Sequence, residues 1–313
     1  MVKTPQIKGV QVDMGHMAHI DLAVLDTGEP PTGSPDHWAA HAADPNDPTV
    51  VQRRAEVLAR AWRPPVSGRV AYLRSRARGR TVLDVGCVAH DLDRIASGNW
   101  LHATLAKVAT SCVGVDVLSD GVEAMRDAGY DAVSHDLSTG SGPLAQRGPF
   151  QVIVAGELIE HVSDTDMLFR SARELLAADG ELIITTPNPY APARVRAGQR
   201  GDVWENVDHI VYAFPSGIAE LASRHGLVLT AAMTTEQRRA ERVGLVRRFK
   251  QAARRSRWHR RGFATTTGVV RSVVLDRRDI LDRLRAALVD RLSSNYHFVG
   301  ETFIYVIKRD SLR

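Results

Sequence analysis

Residues 81–91 read Thr-Val-Leu-Asp-Val-Gly-Cys-Val-Ala-His-Asp, and this stretch decides the fold. Val82-Leu83-Asp84-Val85 is the near-continuous apolar run of a parallel strand covered on both faces. Asp84 interrupts it, and Gly86 follows where the backbone must turn sharply and approach a ligand closely. The prediction is a strand, a tight turn and a helix, the entry to a nucleotide-shaped cofactor site. The pyrophosphate fingerprint G-x-G-x-x-G is missing, because Val88 and His90 hold the alternate positions after Gly86.

Four more strands follow in order. Cys112-Val113-Gly114-Val115-Asp116 ends in an acid placed to accept hydrogen bonds from both hydroxyls of a ribose. Ala132-Val133-Ser134-His135-Asp136 ends in a second acid, and Phe150-Gln151-Val152-Ile153-Val154 runs into Gly156-Glu157-Leu158-Ile159-Glu160-His161. Glu181-Leu182-Ile183-Ile184-Thr185-Thr186 stops at Pro187-Asn188-Pro189.

These segments, in this order and spacing, resemble the class I S-adenosylmethionine (SAM) methyltransferases, within the branch that includes the ubiquinone-type O-methyltransferases. The resemblance covers roughly residues 66–236 and resumes at 296–308. It implies an α/β fold: a doubly wound, seven-stranded mixed sheet, Rossmann-like, with the last strand antiparallel between the fifth and sixth. Leu227–Met233 and residues 301–308 are the candidates for those outer strands. Four regions are expected: an N-terminal arm and helix over 1–65, a SAM-binding core over 66–236, a basic helical insertion or lid over 237–295, and a final core strand over 296–313. Helices are predicted over 49–62, 66–78, within 91–109, over 218–225 and over 276–292.

By the same resemblance, Asp84 orients the turn and the methionine amino group through water, and Gly86 and Cys87 offer backbone groups to the methionine moiety. Asp116 takes the ribose hydroxyls, and Asp136 with Leu137 holds the adenine. Cys87 itself reads as a packing residue, since nothing basic adjoins it to lower its pKa. His135 is expected to point to the opposite face of the sheet. Val88 and His90 depart from the family's glycines, which leaves two readings open: a remodelled loop that still admits SAM, or a closed site in a non-catalytic relative.

Glu157, Glu160 and His161 form the sharpest chemical cluster. If they open the helix after the fourth strand, positions i, i+3 and i+4 share one face. Hard oxygens with one nitrogen then suit Mg²⁺ or Mn²⁺. Some relatives with this run, among the quinone and the small-RNA 2′-O-methyltransferases, bind a divalent metal through it, and the RNA enzymes add a later His, for which His209 is the counterpart. The alternative is that the acids cap the helix and shape the pocket. His161 and His209 are the candidate catalytic residues, because methyl transfer from a sulfonium chiefly requires an aligned acceptor oxygen and a base for its proton. Asn188 is a candidate substrate contact.

The net charge of +5 hides an asymmetry. Residues 238–261 carry eleven Arg or Lys against Glu241 alone, so the rest of the chain is mildly acidic. Leu245, Phe249 and Ala252 give that segment an apolar helical stripe. It could dock on an anionic membrane, gather an acidic acceptor, or form a solvated flap over the site. Two cysteines on predicted core elements argue against a disulfide framework and fit a cytoplasmic protein. No DNA partner is expected. The function expected is O-methylation of a hydroxyl, with a sugar or polysaccharide acceptor preferred. A quinone, phenol or lipid acceptor at a membrane surface is the alternative, and a non-catalytic SAM-binding protein the third reading.

Overall fold

Alternation along the strands divides their side chains between two cores. The computed structural model describes residues 37–89, 92–98, 100–202, 206–235 and 300–310. Within them, seven strands form one sheet: β1 (Thr81–Val85), β2 (Ser111–Asp116), β3 (Ala132–Ser134), β4 (Phe150–Gly156), β5 (Leu176–Pro187), β6 (Leu227–Thr234) and β7 (Thr302–Arg309). The order is β3-β2-β1-β4-β5-β7-β6. The first five run parallel, and β7 is antiparallel to both β5 and β6. Chain order reverses between β1 and β4, which opens a crevice at the carboxyl ends of the strands there, the usual ligand position in such sheets.

Leu83 and Val85 face one side, with Ile153, Ala155, Ile184 and Tyr305. Helices α1 (Pro48–Ala61), α6 (Thr165–Leu175) and α8 (Pro215–Arg224) cover that side through Val57, Phe169 and Ile218. Val82, Val154, Ile183 and Ile304 face the other side, against Leu73 of α2 (Arg69–Ala77) and Leu105 of α4 (Leu101–Ala106). The period of two in each strand explains this partition. The doubly wound mixed sheet expected from sequence is therefore the observed fold.

Some boundaries differ. The first crossover is two short helices, α3 (Leu92–Ser97) and α4, because Gly98 takes a left-handed φ of 63° between them. β3 stops at Ser134, so Asp136 caps a following 3-10 turn instead of ending a strand. Helix α1, grouped with the N-terminal arm on sequence, seats Val57 and Ala61 in the main core and is tied to the sheet edge by bridges from Trp62 to Ala232 and from Val66 to Thr235. The arm over 1–36, His90, Asp91, the basic segment 238–261 and the predicted helix 276–292 lie outside the described residues. Among the described residues no helix is long and apolar enough to cross a membrane.

One acid is buried for structural reasons. Glu181 on β5 is fully inaccessible, and Arg76 holds its carboxylate in a two-pronged ion pair, with Arg80 Nη1 adding a third bond at 2.9 Å. Removing both guanidinium groups would strand a buried charge, a loss on the order of 3 kcal/mol or more. The double substitution Arg76→Ala, Arg80→Ala should shift the urea midpoint accordingly, and Arg80→Ala alone should cost much less. Equal costs for the single and double variants would show that Arg76 does not carry the charge.

Candidate active site

The turn after β1 is built around Gly86, whose φ of 72° favours glycine. A β-carbon there would also lie 2.9 Å from Leu158 Cδ1, so the loop after β4 covers the turn closely. The amides of Gly86 and Cys87 both donate to the Val115 carbonyl, at 2.9 and 3.4 Å. Asp116, at the tip of β2, is 9% exposed. Its Oδ2 accepts from the Val88 amide at 2.9 Å and its Oδ1 from the Leu118 amide at 3.1 Å. One carboxylate therefore ties together the loops that leave β1 and β2.

Beside it opens a cavity of about 270 Å³, slightly below the usual range for small-molecule sites of about 300–1,000 Å³. Gly86 and Asp116 wall one side; His135, Asp136 and Leu137 wall another; Leu158 and His161 close the third. Gly86, Asp116, Asp136 and Leu137 are thus brought together as the sequence led us to expect. Asp136 also caps its own turn, accepting from the Ser138 amide at 2.9 Å and the Ser138 hydroxyl at 2.7 Å.

Four expectations need correction. Asp84 is not in the cavity wall; it is buried, and its Oδ2 stands 3.1 Å from His102 Nδ1, inside the core. Cys87 likewise faces inward, its sulfur 3.6 Å from Met125 Sδ, and burial pushes its thiol well above the usual range. Its carbonyl accepts from Trp100 Nε1 at 3.0 Å and its amide is already used, so the Cys87 backbone groups expected to meet a methionine moiety are engaged within the protein. His135 belongs to the cavity wall, because β3 ends before it and strand alternation no longer applies. Asn188 is fully buried; it donates to the Gly300 carbonyl at 2.6 Å and accepts from the Tyr190 amide at 2.9 Å, bracing the end of β5.

The Glu157–His161 run does not open a helix. Glu157 takes a φ of 57°, Ile159–His161 form a single 3-10 turn, and α6 starts only at Thr165, capped by Asp164. Helical spacing therefore does not align the three residues. A different device assembles the cluster: the Glu160 carbonyl accepts from the Ile210 amide at 2.8 Å, which draws residues 206–211 across the turn. His209 then meets His161 edge to face, ring centres 4.7 Å apart. Glu160, His161 and His209 offer ligand atoms that all lie within 4.8 Å of one another. Glu157 is not a member of that group.

Glu160 is 1% exposed. Its Oε2 accepts from the Thr186 hydroxyl at 3.1 Å, while Oε1 is buried with no hydrogen-bond partner among the described residues. Burial pushes its carboxyl up to about 7, aided by the Glu157 carboxylate and opposed by a backbone hydrogen bond and the Thr186 hydroxyl. An orphaned, buried carboxylate oxygen beside two imidazoles fits a divalent cation. Two nitrogens and one oxygen favour Mn²⁺, Fe²⁺ or Zn²⁺ over Mg²⁺, which prefers all-oxygen sites. Sequence reasoning missed one partner: Asp208 Oδ2 stands 3.0 Å from His161 Nδ1. In the Nδ1–H tautomer His161 donates to that carboxylate and turns its Nε2 lone pair outward. Its position beside His209 was the only available clue.

A family model described as a methyltransferase domain matches residues 52–232. The chain belongs to that family. Among its relatives, the ubiquinone biosynthesis O-methyltransferase of Azorhizobium caulinodans is 32% identical over 114 residues, covering 36% of this chain and 42% of the relative. That of Sodalis glossinidius is 26% identical over 168 residues, 48% of this chain and 63% of the relative. The chain thus spans between 42% and 63% of the length of these two relatives. A SAM-dependent methyltransferase structure from Archaeoglobus fulgidus superposes with a TM-score of 0.44 at 13% identity, over 77% of this chain and 95% of that one. An O-methyltransferase of a Brevibacillus brevis polyketide synthase in complex with S-adenosylhomocysteine gives 0.41 at 12%, over 78% and 72%.

The raised carboxyl of Glu160 makes a stability prediction. Its folded value of about 7 exceeds the ordinary 4.5, so the protonated form is the favoured one in the fold. The group's contribution is complete below about pH 4.5 and is lost as pH rises through 7, a change of roughly 2 kcal/mol after allowing for solvent screening. Glu160→Gln should therefore gain stability relative to the native chain as pH rises from 4.5 to 7.5, read as the difference in thermal midpoints. A difference independent of pH would show that Glu160 is ionised throughout.

Proposed function

We propose that this chain is an enzyme that transfers a methyl group from SAM to a hydroxyl of an apolar acceptor of phenol or quinone type. One observation carries the reading: His161 is at once a wall of the cavity beside Asp116 and a member of the cluster with Glu160 and His209. Cofactor pocket and acid–base chemistry thus share a side chain. Bound in the cavity, SAM would supply a methyl already activated by its sulfonium. Asp116 would hold the ribose, and Asp136 with Leu137 the adenine. The acceptor oxygen would lie by His161, whose outward Nε2 takes the hydroxyl proton while Asp208 supports the imidazolium that results. The new oxygen–methyl bond forms as the sulfur–methyl bond breaks, leaving a neutral thioether.

In place of the His161 base, a divalent ion held by Glu160, His161 and His209 would engage that Nε2 lone pair, lower the acceptor hydroxyl's pKa and fix its position, the proton leaving to solvent. The relatives named above act in ubiquinone biosynthesis by their printed names, which supports the phenol or quinone acceptor. So does the strap beside the cluster, where Ile210, Val211, Tyr212 and Phe214 are exposed. No residue of the site favours the sugar acceptor preferred on sequence.

Calorimetric titration with S-adenosylhomocysteine should show saturable binding that Asp116→Ala loses. Glu160→Ala and His161→Ala should lower turnover of a catechol acceptor by about 10²-fold or more, with S-adenosylhomocysteine affinity within about threefold of native. Absence of binding by the native chain would sink the methyltransferase reading. Turnover that survives exhaustive chelation would remove the ion and leave His161 as the sole aid to the hydroxyl.

A further inference from the structure

The loop after β1 carries Val88 where the resembling pattern has glycine, and the structure shows where the extra side chain goes. Val88 is not among the residues that wall the cavity. It packs instead on Gly121, a buried position of α5 (Ser119–Asp127), the helix that follows Asp116. A β-carbon built on Gly121 would collide with Val88 Cγ1 and lie 3.0 Å from Cγ2 and 3.2 Å from Cβ. The preceding residue is seated the same way: a β-carbon on Gly114 of β2 would lie 2.6 Å from Cys87 Sγ and 3.1 Å from His102 Cε1. Two bare glycines on β2 and α5 thus receive the two side chains that the loop itself did not give up.

The contact lies at a sensitive place. Val88 donates its amide to Asp116 Oδ2, and Leu118, which caps α5, donates to Oδ1. Asp116 therefore bridges the same two loops that Val88 and Gly121 hold in van der Waals contact. Moving them apart breaks one of the two amide bonds and turns the carboxylate within the cavity.

We infer that Gly121 and Val88 are positioning residues for the cofactor: their contact sets the separation of the two loops and so aims the Asp116 carboxylate at the ribose. The inference rests on the cofactor reading above. It also accounts for a loop that lacks the family's second glycine and still leaves a cavity beside it.

The test is S-adenosylhomocysteine binding by calorimetry, well below each variant's melting temperature, with folding checked by circular dichroism. Gly121→Ala should weaken binding tenfold or more. Val88→Gly alone removes the spacer and should weaken binding likewise, and native-like affinity there would overturn the inference. In the double variant Gly121→Ala, Val88→Gly the alanine methyl takes up the vacated space and affinity should recover to within threefold of native. A merely structural defect would not be cured by a second substitution that itself deletes packing. Should Gly121→Ala fail to fold, Val88→Phe carries the same test, since the larger ring cannot enter the socket and should weaken binding tenfold. Native-like affinity in Gly121→Ala or in Val88→Phe overturns the inference while the cofactor reading stands. Absence of binding by the native chain overturns the cofactor reading instead, and the inference falls with it.

Discussion

Two backbone amides, one from each of two neighbouring loops, end on the single carboxylate of Asp116. The cavity depends on that arrangement. Loops at the end of a parallel sheet have no ladder to hold them, and each must find partners for its own N–H groups. A buried carboxylate accepts two such bonds with the strength of a charged acceptor and keeps lone pairs for a ligand. The same acid therefore closes the fold at this edge and presents the charge that a ribose would meet. The Gly86 turn, Leu158 above it and the Val88 contact are all built on the separation it imposes.

Across the cavity the chain accepts a cost. Glu160 is buried with one oxygen unsatisfied, and Glu157 also has a buried oxygen without a partner among the described residues. Elsewhere the protein treats a buried acid differently: Glu181 receives two guanidinium groups and is fully compensated. The contrast between these acids motivates the proposed site. Compensation is what folding alone would favour, and an orphaned carboxylate beside two imidazoles is an arrangement that a bound ion or a reacting group would complete.

Much of this was legible in the primary structure. Buried parallel strands are near-continuous apolar runs, so β1, β2, β4 and β5 stood out, and the acids at their ends marked the ligand edge. The residues that failed did so for definite reasons. Glu157, Glu160 and His161 have helical spacing, yet a left-handed Glu157 precludes the helix; spacing describes what a helix would do and not whether one forms. His135 was assigned to the wrong face because alternation was carried past the end of β3. Asn188 was a candidate by its place after β5 and Asp84 by the resemblance, but in the structure their side chains meet the Gly300 carbonyl and His102.

By itself the sequence determined the strands and the edge at which a ligand would bind, because period and turn chemistry are local properties written along the chain, while the strand order followed from the resemblance to the methyltransferases. Only the tertiary structure decided which side chains meet there. His209 and Asp208 reach His161 through backbone bonds from the Ile210 and Val211 amides to the Glu160 carbonyl, formed between segments some fifty residues apart. Val88 finds its room on Gly121, in a different element. Contacts of this kind depend on how packed elements fit against one another in three dimensions, and no periodicity along the chain encodes them.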